Sequence, residues 1–163
     1  MPSIEITVFT GEELTLKLLK EGIKYAADGG FIVKLVTNAW WASSRERALT
    51  FLKELGLKEL NVSYDDFHSA FIQGRNIVNA VKAALRLGLK VAVAIIVHKY
   101  SKINKNYVRN MFVSNGVNVA KIYFLEDHLQ PVGRASSLDE KFSTKSMLQN
   151  VLIVVVLTFL EIF

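Results

Sequence analysis

The segment from Asn61 to His68, NVSYDDFH, places two adjacent carboxylates and an imidazole directly after a short β-like run. Carboxylate and imidazole groups ligate divalent zinc, manganese or iron, and they also transfer protons in catalysis. Groups of the same kinds follow at His98 and in the segment from Glu126 to His128. A metal-dependent enzyme that uses these side chains is therefore one hypothesis for the chain.

A local structural role is the alternative for the same side chains. Asp65 and Asp66 are of the type that caps a loop or the next helix, and loop histidines often hydrogen-bond to the backbone. Neighbouring carboxylates also need not point the same way. We therefore predict no bound metal and keep the metal-dependent enzyme as the alternative function.

Other common catalytic patterns are missing. No cysteine occurs, which excludes disulfides, thiolate zinc sites and cysteine-ligated iron–sulfur clusters held by this chain. No glycine-rich phosphate loop of standard spacing is present, and Gly29-Gly30 precedes a strand-like run instead of opening a helix. Ser43 and Ser44 precede a helical pattern with Glu46 close behind, so we interpret them as helix-capping residues.

The elements that must position these groups form a repeat of about 30 residues. Apolar, β-branched runs alternate with amphipathic segments, and glycines that suit a helix end stand before the next run. We therefore predict an α/β fold of about five mainly parallel strands with flanking helices, arranged as a parallel sheet or barrel. The predicted strands are Ile4 to Phe9, Phe31 to Thr37, Leu60 to Ser63, Val91 to Val97 and Val119 to Phe124.

Polar residues concentrate in the segments that follow these predicted strands. All three histidines and both tryptophans, Trp40 and Trp41, lie there. In parallel α/β sheets and barrels these segments share the carboxyl edge of the strands, where ligands bind. The tryptophans either line a pocket at that edge or pack against a neighbouring helix.

Length and charge limit the classes of function. The chain has 163 residues and a formal net charge of +5, with basic residues scattered along helical patterns. One domain is expected, and no nucleic-acid partner is predicted. The first residues carry no signal-peptide pattern, so we expect a cytoplasmic protein. The apolar end, Val151 to Phe163, is shorter than the ~20 residues that a helix needs to span a bilayer, so no membrane partner is predicted.

Four motifs in order resemble those of the radical S-adenosylmethionine superfamily. They are FTGEELTLKLL, KLVTNAWW, LNVSYDDFHSAFI and LEDHLQPVGRA, and the resemblance covers about Ile4 to Ala135. The resemblance implies a partial (β/α)6 barrel in which the present strands match the second to the sixth. The first unit of that fold, which carries the three-cysteine loop for a [4Fe–4S] cluster, has no counterpart here.

The resemblance also implies roles for particular residues. Gly11 with Glu12 or Glu13 would meet the amino group of S-adenosylmethionine, because a carboxylate at a strand end holds an ammonium by a charge-assisted hydrogen bond. Asn38 and Ser63 fall where family members contact the sugar or amino-acid part of the cofactor. The side chains expected to face substrate are Asp65, Asp66, His68, His98 and Arg134.

The functional prediction is therefore a radical S-adenosylmethionine-like domain without its own cluster. It would retain cofactor or substrate binding, be inactive alone, and work with a cluster-bearing partner or as a homo-oligomer. Residues 1–142 are assigned to the partial barrel. Residues 143–163 form an apolar tail that would cover an exposed sheet edge, as a strand or a helix, in a chain shortened by truncation or frameshift. A non-catalytic structural subunit is a further alternative.

Overall fold

The computed structural model describes residues 5–9 and 16–129, with side chains described from residue 20 onward. In that part of the chain, strands and helices alternate, with two helices between the third and fourth strands. The strands are β1 (Glu5–Phe9), β2 (Ile32–Thr37), β3 (Glu59–Ser63), β4 (Lys90–Val97) and β5 (Ile122–His128). The helices are α1 (Leu16–Asp28), α2 (Arg45–Lys53), α3 (Asp66–Ser69), α4 (Gly74–Arg86) and α5 (Lys105–Ser114).

The strands form one sheet in the sequential order β1-β2-β3-β4-β5, and every neighbouring pair is parallel. This confirms the predicted α/β fold with mainly parallel strands and flanking helices. Right-handed crossovers in a sequential strand order place all connecting helices on the same side of the sheet. The sheet is therefore a fragment of the arrangement found in (β/α) barrels, as predicted.

One face of the sheet packs against the helices and forms the core. Alternate strand residues enter this core because successive side chains of a strand point to opposite faces. Leu35, Leu60 and Val93 are fully buried there with Leu52 and Phe112 of the helices. Each fully buried side chain of this size contributes about 1.5–3 kcal/mol to folding.

We call the opposite side of the sheet the far face. The register pairs Lys34 with Glu59, and the same pair forms an ion pair of 3.7 Å across β2 and β3. Toward the carboxyl ends of β2 and β3 this face carries Val36, Asn61 and Ser63, and at the ends of β4 and β5 it carries Ile96 and Asp127. Its members on the four strands with described side chains are Ile32, Lys34, Val36, Glu59, Asn61, Ser63, Lys90, Ala92, Ala94, Ile96, Tyr123, Leu125 and Asp127.

Helix ends follow the predicted chemistry. The Ser44 hydroxyl accepts a hydrogen bond from the Arg47 backbone N–H at 3.2 Å, which confirms the capping role given to this serine. Gly30 after α1 and Gly88 after α4 have φ of 83° and 74°, a left-handed conformation that suits glycine best.

The fifth strand was predicted in the wrong place. Val119–Lys121 is a short 3-10 helix, in which the Asn118 side chain accepts a hydrogen bond from the Ala120 N–H at 3.1 Å. Strand β5 begins at Ile122 and pairs with β4 as far as Val97 opposite His128. Glu126, Asp127 and His128 therefore belong to the strand, although the sequence placed them in the segment after it.

Several predictions fall outside the described residues. These are the boundary at residue 142, the apolar tail and its edge-covering role, and the roles of Gly11, Glu12, Glu13 and Arg134. None of the helices that the structure describes is both long enough and apolar enough to cross a bilayer.

Candidate functional site

The carboxyl ends of the five parallel strands meet at one edge of the sheet. Thr37 ends β2, Ser63 ends β3 and Val97 ends β4 beside His128 of β5. The loops that leave these ends carry the candidate residues Asn38, Asp65 and His98. The structure therefore brings the predicted site segments of three neighbouring strands to a common edge, where ligands of parallel sheets bind.

At the end of β2 the chain makes a tight turn held by one hydroxyl. Thr37 Oγ1 accepts hydrogen bonds from the Ala39 N–H and from the Trp41 indole Nε1, both at 3.1 Å. Ala39 has φ of 57° and is completely buried, so a non-glycine residue occupies the left-handed region here. Strained backbone of this kind is tolerated only where the surroundings fix it, and it is frequent at ligand sites.

The two tryptophans serve different purposes. Trp41 is buried and stacks on Phe51 of α2 with ring centroids 4.2 Å apart, so it packs against a helix. Trp40 is exposed at the strand-end edge. The helix-packing interpretation is confirmed for Trp41, and the pocket-lining interpretation stays a prediction for Trp40.

Asn38 and Ser63 lie at the carboxyl ends of two neighbouring strands. Thr37, the last residue of β2, pairs with Val62; Asn38 follows Thr37 directly, and Ser63 follows Val62 as the last residue of β3. Both residues are half-buried. Asn38 Oδ1 accepts the Trp40 N–H at 3.2 Å, which leaves its amide nitrogen as a donor, while a serine hydroxyl both donates and accepts.

Asn61 belongs to the same group of polar residues but was not predicted as a site residue. It lies two residues before Ser63 on the same face of β3, and its Oδ1 atom is buried without a hydrogen-bond partner. A buried amide oxygen without a partner costs about 1–3 kcal/mol, so its presence calls for an explanation. The signal in the sequence was an asparagine within the otherwise strand-like run LNVS.

The side chain of Asp65 has a structural role in the fold. Its side chain is buried, caps α3 by accepting the His68 backbone N–H at 3.0 Å, and contacts His68 Nδ1 at 2.8 Å. Burial alone would raise the pKa of Asp65, but the side-chain and backbone hydrogen bonds from His68 outweigh burial and hold that pKa below its usual value. The carboxylate stays ionised at neutral pH and fixes the imidazole.

Asp66 joins two loops of the strand-end edge. Its Oδ2 accepts the backbone N–H groups of Lys102 at 3.0 Å and Ile103 at 3.4 Å, in the loop after β4. The same Oδ2 atom also lies 4.0 Å from Nε2 of His98. Asp65 and Asp66 thus take the local roles that loop aspartates commonly have, and their role toward a substrate stays a prediction, as it does for His68 and His98.

Nothing in the described residues gathers three or more histidine, aspartate or glutamate side chains around one point suited to a metal. Glu126 instead accepts the Lys105 N–H at the start of α5, and Asp127 accepts the backbone N–H of His128 at 2.7 Å. The hypothesis of a metal-dependent enzyme gains no support from this arrangement.

The fold and this edge define a parallel α/β domain with an amide-rich and hydroxyl-rich strand-end surface. No known protein-family profile matches the sequence. The chain is similar to YydG of Bacillus subtilis (strain 168), a protein whose name assigns it provisionally to peptide biosynthesis, with 27% identity over 85 residues. The matched segment covers 49% of this chain and 27% of that relative, so the chain spans about a quarter of the length of the curated relative it matches.

Proposed function

We propose that this chain is a radical S-adenosylmethionine-like domain that binds S-adenosylmethionine at the carboxyl ends of β1 to β3. The single observation that carries the proposal is the position of Asn38 and Ser63 at the carboxyl ends of the neighbouring, parallel strands β2 and β3. These are the two described residues that the family resemblance assigns to cofactor contact. The sheet supports them at the edge where parallel strands receive ligands.

The donors and acceptors present fit parts of the cofactor. Asn38 has an amide N–H to donate to a carboxylate or a ribose hydroxyl, and the Ser63 hydroxyl can donate or accept. The unpartnered Asn61 Oδ1, on the same face of β3 as Ser63, supplies a buried acceptor that a ligand N–H or O–H would satisfy. From the resemblance, Gly11 with Glu12 or Glu13 would hold the amino group.

The residues of this chain do not fit the iron–sulfur cluster that the family uses beside the cofactor. Such clusters are held by cysteine thiolates, and the chain contains no cysteine. When bound next to a reduced cluster, S-adenosylmethionine supplies the radical chemistry of the family. We therefore propose that a cluster-bearing partner completes the active assembly and that this chain alone is inactive.

A peptide is the substrate class that we propose for the assembly. The support is the peptide-biosynthesis name of the similar Bacillus subtilis protein, within the limits of a 27% match over half of this chain. Exposed residues follow β2, β3 and β4 at the strand-end edge, and loops of this kind commonly carry binding residues.

Calorimetric titration of the purified, metal-free protein with S-adenosylmethionine tests the cofactor site. We expect saturable binding that Asn38→Ala weakens by about tenfold, because a lost hydrogen bond to a charged group costs about 1.5–3 kcal/mol. The double variant Glu12→Gln/Glu13→Gln should also weaken binding. Circular dichroism of each variant checks that the fold is retained.

Asn110→Ala is the matched control, because it removes the same amide from an exposed position on α5. It should bind as the wild type does. The absence of saturable heat at millimolar cofactor, or an equal loss in Asn38→Ala and Asn110→Ala, would contradict the proposed site.

A further inference from the structure

Four aromatic side chains are exposed on three successive loops at the strand-end edge. Phe71 is 85% exposed, although phenylalanine is among the residues most often buried in folded proteins. We call the set the aromatic rim. Its members are Trp40 after β2, Phe67 and Phe71 after β3, and Tyr100 after β4.

Hydrogen bonds and a ring contact tie these loops into one surface. Asn76 Nδ2 donates to the Trp40 backbone oxygen at 3.1 Å, which joins the loop after β2 to the start of α4. Asp66 accepts the Lys102 N–H at 3.0 Å and so joins the loops after β3 and β4. The Phe67 ring lies 5.6 Å from the His98 ring across the same junction. These contacts hold together the segments that carry the rim before any partner arrives, which lowers the entropy cost of binding.

The charges around the rim have one dominant sign. In the segments 38–47, 64–76 and 98–105, the acidic residues Asp65 and Asp66 are buried or hydrogen-bonded to backbone, and Glu46 is the one exposed carboxylate. The exposed basic residues of the same segments are Arg45, Arg47, Arg75, Lys99, Lys102 and Lys105. An acidic partner would be attracted and oriented by this imbalance.

We propose that the aromatic rim docks an acidic peptide segment with apolar side chains. The aromatic rings provide the apolar contact area, and the surrounding lysines and arginines select against basic sequences. The proposal rests on the proposed function only in taking a peptide as the occupant, and it requires neither cofactor nor cluster.

The test is fluorescence anisotropy of the full chain, without S-adenosylmethionine, against two labelled peptides of equal length. One alternates glutamate with leucine and phenylalanine, and the other has lysine in place of glutamate. The acidic peptide should bind more tightly, and raising the salt concentration should weaken it. Phe71→Ala should weaken it about tenfold, as expected for an aromatic anchor of an interface. Lys99→Glu/Lys102→Glu should remove the preference for the acidic peptide.

Matched controls lie elsewhere on the surface. Tyr25→Ala removes an aromatic ring that is 83% exposed on α1, and Lys53→Glu/Lys58→Glu makes the same charge change on α2 and before β3. Neither should alter binding. Equal binding of the two peptides, or equal losses in the rim and control variants, would overturn the proposal. So would binding of phosphatidylserine vesicles by a chain that binds neither peptide, because the rim would then be a membrane surface.

Discussion

The polar residues of the β3 region fall into two groups with opposite relations to the fold. Asp65 and Asp66, in the loop after β3, have their carboxylates bound to an imidazole and to backbone N–H groups. Asn61 and Ser63, on the far face of β3 itself, take little part in such bonds, and Asn61 Oδ1 is buried with no hydrogen-bond partner in the part of the chain that the structure describes. The aspartates, which look more like catalytic residues in the sequence, are the ones whose side chains are bound within the fold.

This difference shows why residue type alone does not locate a ligand site. A carboxylate readily accepts hydrogen bonds from nearby backbone N–H groups, so a loop aspartate commonly caps a helix or links two loops. An amide held on a strand has its own backbone engaged in the sheet, and its side chain cannot reach local partners. Such a side chain is left for a ligand, at a cost in stability.

The largest expected effect concerns the turn that presents Asn38. Thr37→Val keeps the shape of the side chain but leaves the Ala39 N–H and the Trp41 indole N–H without their acceptor. Two buried donors without partners should lower the free energy of unfolding by about 2–4 kcal/mol. Urea denaturation followed by tryptophan fluorescence measures this change. The conservative Thr37→Ser keeps the hydroxyl acceptor and should lose much less, and a similar loss in both variants would contradict the role given to the two hydrogen bonds.

The next largest effect concerns the buried carboxylate of Asp65. Asp65→Ala removes the cap of α3 and the partner of the His68 ring, and should lower the free energy of unfolding by about 1–2 kcal/mol. The same denaturation experiment checks it. A neutral result would mean that Asp65 is not structural and would return it to the candidates for substrate contact.

Acid should weaken the fold through the same residue. Because the folded-state pKa of Asp65 is lowered, the ionised carboxylate stabilises the protein above its unfolded pKa of about 3.9. That contribution is lost as the pH falls from about 4 through the lower folded-state pKa. Asp65→Asn cannot titrate, so its stability should fall less than that of the wild type between about pH 6 and pH 3. Equal declines would contradict the account.

A stabilising effect is expected on the far face. Asn61→Val removes an amide oxygen that is buried without a partner and introduces a residue that favours strands. The free energy of unfolding should rise by about 1 kcal/mol, since the desolvation penalty disappears. S-adenosylmethionine binding should weaken in the same variant. A destabilised Asn61→Val would show that this amide supports the fold after all.

The smallest effect on stability is expected for Ser63→Ala, on the half-buried end of β3. Its melting temperature should stay close to that of the wild type, because substitutions away from special features change stability by less than about 0.5 kcal/mol. Its affinity for S-adenosylmethionine should nevertheless fall. An unchanged affinity would remove Ser63 from the cofactor site.

Much of the fold could be predicted from the sequence, because apolar periodicity and helix-ending glycines are local signals. Gly30 and Gly88 ended helices as expected, and the first four strands were placed within one residue at their described ends. The fifth was misplaced because the Asn118 side chain favours a 3-10 turn over Val119–Lys121. Pairing with β4 then continues the strand through charged residues that no propensity would assign to it.

The site was predictable only in outline. Strand ends and polar loops are visible in the sequence, and the family resemblance then named Asn38 and Ser63, whose cofactor role stays a prediction. Whether a carboxylate is free depends on distant partners, such as the Lys102 N–H that Asp66 binds. The vacant acceptor on Asn61 depends in the same way on packing that pairs β3 with both of its neighbours. These are tertiary facts, which a single sequence does not encode locally.

The most direct test compares the two groups in one calorimetric titration series with S-adenosylmethionine. One double variant, Asn38→Ala/Ser63→Ala, changes the carboxyl ends of β2 and β3, and the other, Asp65→Asn/His68→Gln, changes the loop after β3. The account predicts that the first loses most of its affinity and that the second binds as the wild type does. Loss of affinity in the loop variant, with the strand-end variant unaffected, would contradict the central claim that these strand ends form the ligand surface.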